Sequence, residues 1–234
     1  MKKDTNFYDA ESSKYSAKRY PKVAQNRIQH FFKSRLSIIL CELQRYLRPN
    51  STLLEIGCAD GIIIRSIYDK FSGMLVSAEG VDISPGMIEV ARSLLGDRKI
   101  SFALRNELEQ RSFDYVIEVG VVNYADFEEE MSHVCEILSP DGIYICSLAG
   151  TDSLSQKLNP AAQEGFRNFL SYSEYEKGLQ QHFEIVAAKP VGLFIPYIWA
   201  IPAAARLIQP LMEKILSLIS PNLFLEKVYV LRRR

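Results

Sequence analysis

The stretch Leu53–Gly61, LLEIGCADG, restricts the fold more than any other part of the chain. A short apolar run stops on one carboxylate, Glu55, and gives way to small residues between two glycines, Gly57 and Gly61. A run of that length bounded by glycine suits a strand buried on both faces. Glycine admits backbone conformations closed to other residues and leaves room for a ligand against the main chain. The pattern that follows, GIIIRSIYDKF, suits a helix whose first amides face the same spot. Gly57 and Gly61 therefore serve either a ligand loop or a plain tight turn.

Strands and helices alternate on both sides of this motif. Upstream, Ile28, Phe31, Phe32, Leu36, Ile39, Leu40, Leu43 and Leu47 recur at helical spacing, and Pro49-Asn50 ends the run. Downstream, AEGVDIS is a strand, and PGMIEVARSLL is a helix with Ser84 as N-cap and Pro85 at its first position. KISFALR and FDYVIEVG are strands, DFEEEMSHVCEIL is a helix, and DGIYICSLAG is a fifth strand entered by a turn at Pro140-Asp141-Gly142. HFEIVAAKPVGLF and FLEKVYVLRRR complete the set. This alternation implies a mostly parallel sheet with helices on both faces. The organisation read from it is an N-terminal lid and helix over residues 1–48 and one compact domain over 49–234, carrying an apolar helical insertion at about 191–220.

Several function classes are disfavoured. Lysine plus arginine equals aspartate plus glutamate at 28 each, so no basic excess asks for a nucleic-acid partner. Cys41, Cys58, Cys135 and Cys146 are widely spaced, with no cysteine/histidine cluster, which argues against zinc and for a reducing cytoplasm. The start, MKKDTNFYDAESS, has lysines without an apolar stretch behind them, unlike a signal peptide. A dinucleotide fingerprint aligned on Gly57 would need glycines where Ala59 and Ile62 stand, and no P-loop pattern is present. Asp82 lies about twenty residues beyond the glycine loop, at the end of the next strand, where an acid accepts ribose hydroxyls. It could also be a mere neighbour of the Ser84 cap. A ribose site without a pyrophosphate site suggests a nucleoside ligand such as S-adenosylmethionine (SAM).

LLEIGCADG, GVDISPGMIEVAR, FDYVIEVGVVNY and CEILSPDGIYICSLAG, in this order, resemble the motifs of class I SAM-dependent methyltransferases over about residues 50–150. The resemblance implies a three-layer, Rossmann-like, seven-stranded sheet, mostly parallel with the last strand antiparallel. It implies SAM as cofactor and S-adenosylhomocysteine (SAH) as product. Glu55, Gly57, Cys58, Ala59 and Gly61 would line the methionine side, with Asp82 on the ribose and Ile83 and Met87 against the adenine. Asn106 or Glu107 would read the adenine amine, in a stretch that departs from the usual acid. Glu118 and Val119 would flank the methionine portion, and Asn123 and Tyr124 would face the acceptor unless they only pack.

Methyl transfer from a sulfonium needs positioning and exclusion of water, with a base only for a hydroxyl acceptor. Of the three histidines, His133 and His182 read as structural, and His30 is the candidate near the substrate. Small relatives begin with a tyrosine-rich lid, so Tyr15, Arg19 and Tyr20 would cover the cofactor, Arg19 reaching its carboxylate; otherwise this is a surface tail. Val191–Ala205 carries no charge but is too short and proline-broken to span a membrane. Beyond Arg206 a helix with Ile208, Leu211, Met212, Ile215 and Ile219 on one face is expected. It either packs on the sheet, walls an acceptor pocket or dimer contact, or rests on a membrane with a lipid-linked acceptor. The function implied is O-methylation of a sugar or similar metabolite, with a non-catalytic partner-binding role as the alternative.

Overall fold

The computed structural model describes residues 5–158 and 165–234. Residues 1–4, part of the segment read as unlike a signal peptide, lie outside these. Seven strands form one sheet in the order β3-β2-β1-β4-β5-β7-β6: β1 (Ser51–Ile56), β2 (Leu75–Asp82), β3 (Ser101–Leu104), β4 (Phe113–Glu118), β5 (Leu138–Leu148), β6 (Phe183–Val191) and β7 (Glu226–Arg233). The first five pair in parallel, and β7 runs antiparallel to both β5 and β6. The order reverses between β1 and β4, so a crevice opens beyond the carboxyl ends of those two strands.

Two apolar layers cover the sheet. On one face, helices α3 (Arg27–Tyr46), α4 (Ile62–Phe71) and α5 (Pro85–Ser93) supply Phe31, Ile39, Leu43, Ile63, Ile64, Ile67, Ile88 and Ala91. On the other, α6 (Phe127–Ile137) and α8 (Tyr172–His182) supply Phe127, Met131, Val134, Ile137, Tyr175 and Leu179. The caps follow the local sequence: Asn26, Ser84, Asp126 and Ser171 each accept a first-turn amide with their side chains. Ahead of α3, two short helices, α1 (Thr5–Glu11) and α2 (Tyr15–Arg19), lie across the carboxyl end of the sheet; α7 (Leu154–Leu158) follows β5.

Two expectations are corrected. The turn at Pro140–Gly142 does not precede β5; it interrupts it. Leu138 already pairs with Phe113 and Ile143 with Tyr115, so the intervening residues bulge from a strand that starts at Leu138. The late helix, α9, runs from Pro202 to Ile219, earlier than expected. Its face of Ile208, Leu211, Ile215 and Ile219 does not pack on the sheet but is exposed. Among the described residues no helix is long and apolar enough to cross a membrane.

Candidate functional site

The loop after β1 is pinned to β2. The amides of Gly57 and Cys58 both donate to Val81 O, at 2.8 and 3.0 Å. Gly57 and Gly61 take φ of +70° and +76°, and Ala59 is left-handed too, at +48°. A side chain at 57 would collide with Val121, whose Cγ2 lies 2.1 Å from an ideal Cβ there. Gly61 caps α4 but has no side chain to offer, and Glu55 replaces it from the strand: Ile64 N donates to Glu55 Oε2 at 2.9 Å. Burial pushes the Glu55 carboxyl well above the usual range, with the Ile64 amide pulling the other way.

Asp82 ends β2 with both oxygens in backbone bonds: Ala59 N to Oδ2 and Ser84 N to Oδ1, each 2.9 Å. Its position is therefore fixed between the glycine loop and the start of α5, with further lone pairs available to hydroxyl donors. Burial raises its carboxyl, partly offset by these amides. Ile83 is exposed beside it and Met87 is fully buried. Cys58 is buried, and its thiol is pushed up by burial and then by Glu55.

The N-terminal segment lies on this loop. Ser16 donates to Asp60 Oδ2 through its amide at 3.1 Å and also through its hydroxyl. Asp9 Oδ1 accepts from Ser84 Oγ at 2.5 Å and from Gly86 N at 2.9 Å; only a glycine at 86 lets α1 come so near. Tyr8 lies within electrostatic range of Asp82, its hydroxyl pushed up to about 12 by burial and then by Tyr124 and Asp82. Arg19 lies within electrostatic range of Tyr8 and Tyr15. Its guanidinium stacks 4.0 Å above the Tyr15 ring. The cation at the mouth is Arg35 of α3, buried between Phe31 and Phe32 and paired with Glu226 at the start of β7 at 2.9 Å. Its guanidinium also borders Gly120, just past β4. Tyr15 and Tyr20 lie within electrostatic range of both Arg35 and Asp60, and burial raises both hydroxyls.

Other expected residues are engaged elsewhere. Glu118 turns to the opposite face of the sheet, where Tyr144 Oη donates to its Oε2 at 2.6 Å and Glu130 and Arg105 form the adjoining ion pair. Its side chain is therefore withdrawn from the crevice, and Val119 packs in the core on the α3 side. Asn123 is buried and fully used: Nδ2 donates to Tyr175 Oη and Ala149 O, and Oδ1 accepts from Ala149 N. It ties the β4 loop to the end of β5, not to an acceptor. Tyr124 meets Phe166 edge-on at 5.0 Å. Asn106 is exposed, and Glu107 closes its own turn by accepting from Leu104 N at 3.0 Å. His30 lies at the junction of α3 and α9, Nε2 3.0 Å from Glu213 Oε2 and its ring 5.5 Å from that of Trp199.

A zwitterionic nucleoside fits the groups that remain. Two buried polar atoms at the mouth lack protein partners and are opposite in kind: Asp60 Oδ1, an acceptor, and Arg35 Nε, a donor. An amino-acid end supplies an ammonium for the first and a carboxylate for the second.

The family described as a methyltransferase domain matches residues 26–187, and the chain belongs to it. Malonyl-[acyl-carrier protein] O-methyltransferase 2 of Ilyobacter polytropus is 25% identical over 147 residues, covering 58% of this chain and 56% of that one. The corresponding enzyme of Anoxybacillus flavithermus is 40% identical over 60 residues, 26% of this chain and 22% of that one. The matches thus span about half or less of these relatives' length. Among solved structures, magnesium protoporphyrin IX methyltransferase of Synechocystis with bound SAH superposes with a TM-score of 0.66 at 15% identity, covering 97% of each chain. A SAM-dependent methyltransferase of Thiobacillus denitrificans, in complex with SAH, gives 0.63 at 15% identity over 100% of each. At such identities these two establish the fold.

Proposed function

We propose that this chain holds SAM between the glycine loop, Asp82 and Arg35 and O-methylates a small molecule at a carboxylate. The observation that carries the cofactor assignment is the pair of orphaned atoms, Asp60 Oδ1 and Arg35 Nε, beside a loop that side chains cannot enter. Asp82 takes the ribose hydroxyls, Arg35 the carboxylate end and Asp60 the ammonium; Gly57 and Gly61 admit the ligand to the main chain, and Ile83 lies open to the adenine. Bound there, SAM supplies a methyl group activated by its sulfonium. The chain's part is to orient the acceptor and to exclude water beneath Tyr8, Tyr15 and Tyr20.

The acceptor class follows from what is missing among the described residues. His30 is tied to Glu213 and His182 lies beside Glu128, while His133 sits on α6, on the face away from α3. No histidine is set as a base for a hydroxyl. A carboxylate is ionised at neutral pH and requires none, which accords with the relatives named as O-methyltransferases of malonyl-carrier protein.

The test is a calorimetric titration with SAM, SAH and, as control, NAD, on wild type and Asp82→Ala. Micromolar SAM or SAH affinity that Asp82→Ala abolishes is expected; affinity for neither sinks the cofactor site. Labelled SAM then reports the acceptor through alkali. A methyl ester releases its label and an ether does not, so base-stable label would move the reading to a sugar or other hydroxyl.

A further inference from the structure

Helix α9 is turned inside out. Its buried side holds Ala205 and the polar Gln209 and Glu213, and its outer side holds Leu207, Ile208, Leu211, Ile215, Leu218 and Ile219. The rotation is fixed by hydrogen bonds. Gln209 Nε2 donates to Leu193 O at 3.2 Å and to Glu213 Oε1 at 2.8 Å, Gln209 Oε1 accepts from Trp199 Nε1 at 2.5 Å, and Glu213 meets His30. Rolling the apolar face inward would break all of these. Leu207 and Leu218 are 79% and 84% exposed, and Tyr197, just before the helix, is 93% exposed. The six outer side chains present on the order of 700 Å² of apolar surface, above the roughly 300–600 Å² of the largest patch on a typical monomer. Ile201 and, on the segment beside α9, Val23 and Ile28 are exposed as well.

We propose that this face docks on a lipid bilayer, with α9 lying in the interfacial plane. A second copy is the weaker occupant: two convex helices meet along a seam and cover only part of so broad a face, short of the roughly 800 Å² per partner of a standard interface. Charge points the same way. Glu213 is the single acid of the helix and is turned inward, while Lys214 stands exposed at the edge of the apolar face and Lys22 on the neighbouring segment. The surface offered is apolar and flanked by cations, as a bilayer containing anionic lipid requires. The helix also stands where docking is useful. Strand β6 runs parallel to β5, so Val191 and the segment leading to α9 leave the sheet at the same edge as Gly57 and Gly120. Docking lays the mouth of the crevice against the membrane, so acceptors arrive from the lipid phase. The docking itself does not depend on the methyl-transfer reading.

The full chain is floated with vesicles of phosphatidylcholine alone and of phosphatidylcholine with phosphatidylglycerol. Flotation with both, greater with the anionic lipid, is expected, and a Leu211→Ser/Leu218→Ser variant should lose it by about tenfold or more while keeping its SAH affinity and Tm. Absence of flotation in wild type overturns the proposal. So does flotation that survives in the variant, or a dimer by light scattering that the double substitution dissolves.

Discussion

Gly57→Ala tests the glycine loop most directly. The residue has φ +70°, and a left-handed alanine costs roughly 1–2 kcal/mol. The strain cannot relax by rotating the peptide, because the Gly57 amide donates to Val81 O at 2.8 Å and would lose that bond. The new Cβ would lie 2.1 Å from Val121 Cγ2. Val121 is half-buried, so its side chain can swing away at an off-rotamer cost of about 0.5–1.5 kcal/mol. Together these give a loss of roughly 2–3 kcal/mol, seen as a fall in Tm of roughly 5–10 °C for a domain of this size. Urea denaturation of wild type, Gly57→Ala, Val121→Ala and the double variant separates the parts. The clash component should vanish on the Val121→Ala background, leaving a backbone component of about 1–2 kcal/mol. A cost under about 0.5 kcal/mol for Gly57→Ala, or one that is the same with and without the valine side chain, would refute the strain and the clash.

Two further substitutions probe the residues that turn away from the crevice. Burial, and then the charge of Glu130, raise the Glu118 carboxyl well above its unfolded value. Its stabilising contribution is therefore full below the unfolded carboxylate range, near about pH 4.3, and is lost as pH rises from there through the folded value, by up to about 1.4 kcal/mol per pH unit. Glu118→Gln should remove that slope, so its stability relative to wild type should improve between pH 5 and pH 8; a difference that stays flat in urea titrations would refute this. Asn123→Ala deletes the buried bonds to Tyr175 and to both backbone groups of Ala149 and should cost about 2–4 kcal/mol. Because that side chain braces two strand ends, SAH affinity should change little; a variant of wild-type stability that lost activity would return Asn123 to the acceptor site.

The parts of the fold that were legible are those in which local pattern and burial agree. Buried parallel strands are continuous apolar runs, so β1 and β4 could be found, and Ser84 with Pro85 announced α5 because cap chemistry is local. Asp82 could be located because the end of β2 and the glycine loop it meets are close in sequence. Contacts between distant segments left no such signal: Asp9 meeting Ser84 and Gly86, or Ser16 meeting Asp60, cross a separation that periodicity does not encode. Glu118 misled because motif order locates a residue along a strand but not the face to which it turns, while Asn123, read as facing an acceptor or packing, packs. Arg35 carried a readable signal. It falls four residues after Phe31 and four before Ile39, one of two charges, with Glu42, on the buried stripe of α3. A cation there requires a partner, and the partner is Glu226. In α9 the apolar face was found correctly, but periodicity cannot tell which way a face points when Gln209 and Glu213 hold the opposite side.

The electrostatics of the crevice explain why the N-terminal helices lie where they do. Glu55, Asp60 and Asp82 are buried around one loop, and burial raises the carboxyls of Glu55 and Asp82. Burying so many acids opposes folding unless donors or cations meet them. The amides of Ile64, Ala59 and Ser84 meet Glu55 and Asp82 from within the sheet layer, and Ser16 meets Asp60 from the N-terminal segment. Asp60 Oδ1 is left over. Covering the loop with α1 and α2 thus withdraws water from the acids and leaves one demand that the chain does not itself satisfy. Under the proposed cofactor assignment a cationic ligand would satisfy it and at the same time favour the ionised forms of Glu55 and Asp82, so the cover and the ligand would stabilise each other. Arg65, buried and donating to Asp60 O, is the chain's own cation in that balance, and the proposed donor would add the second.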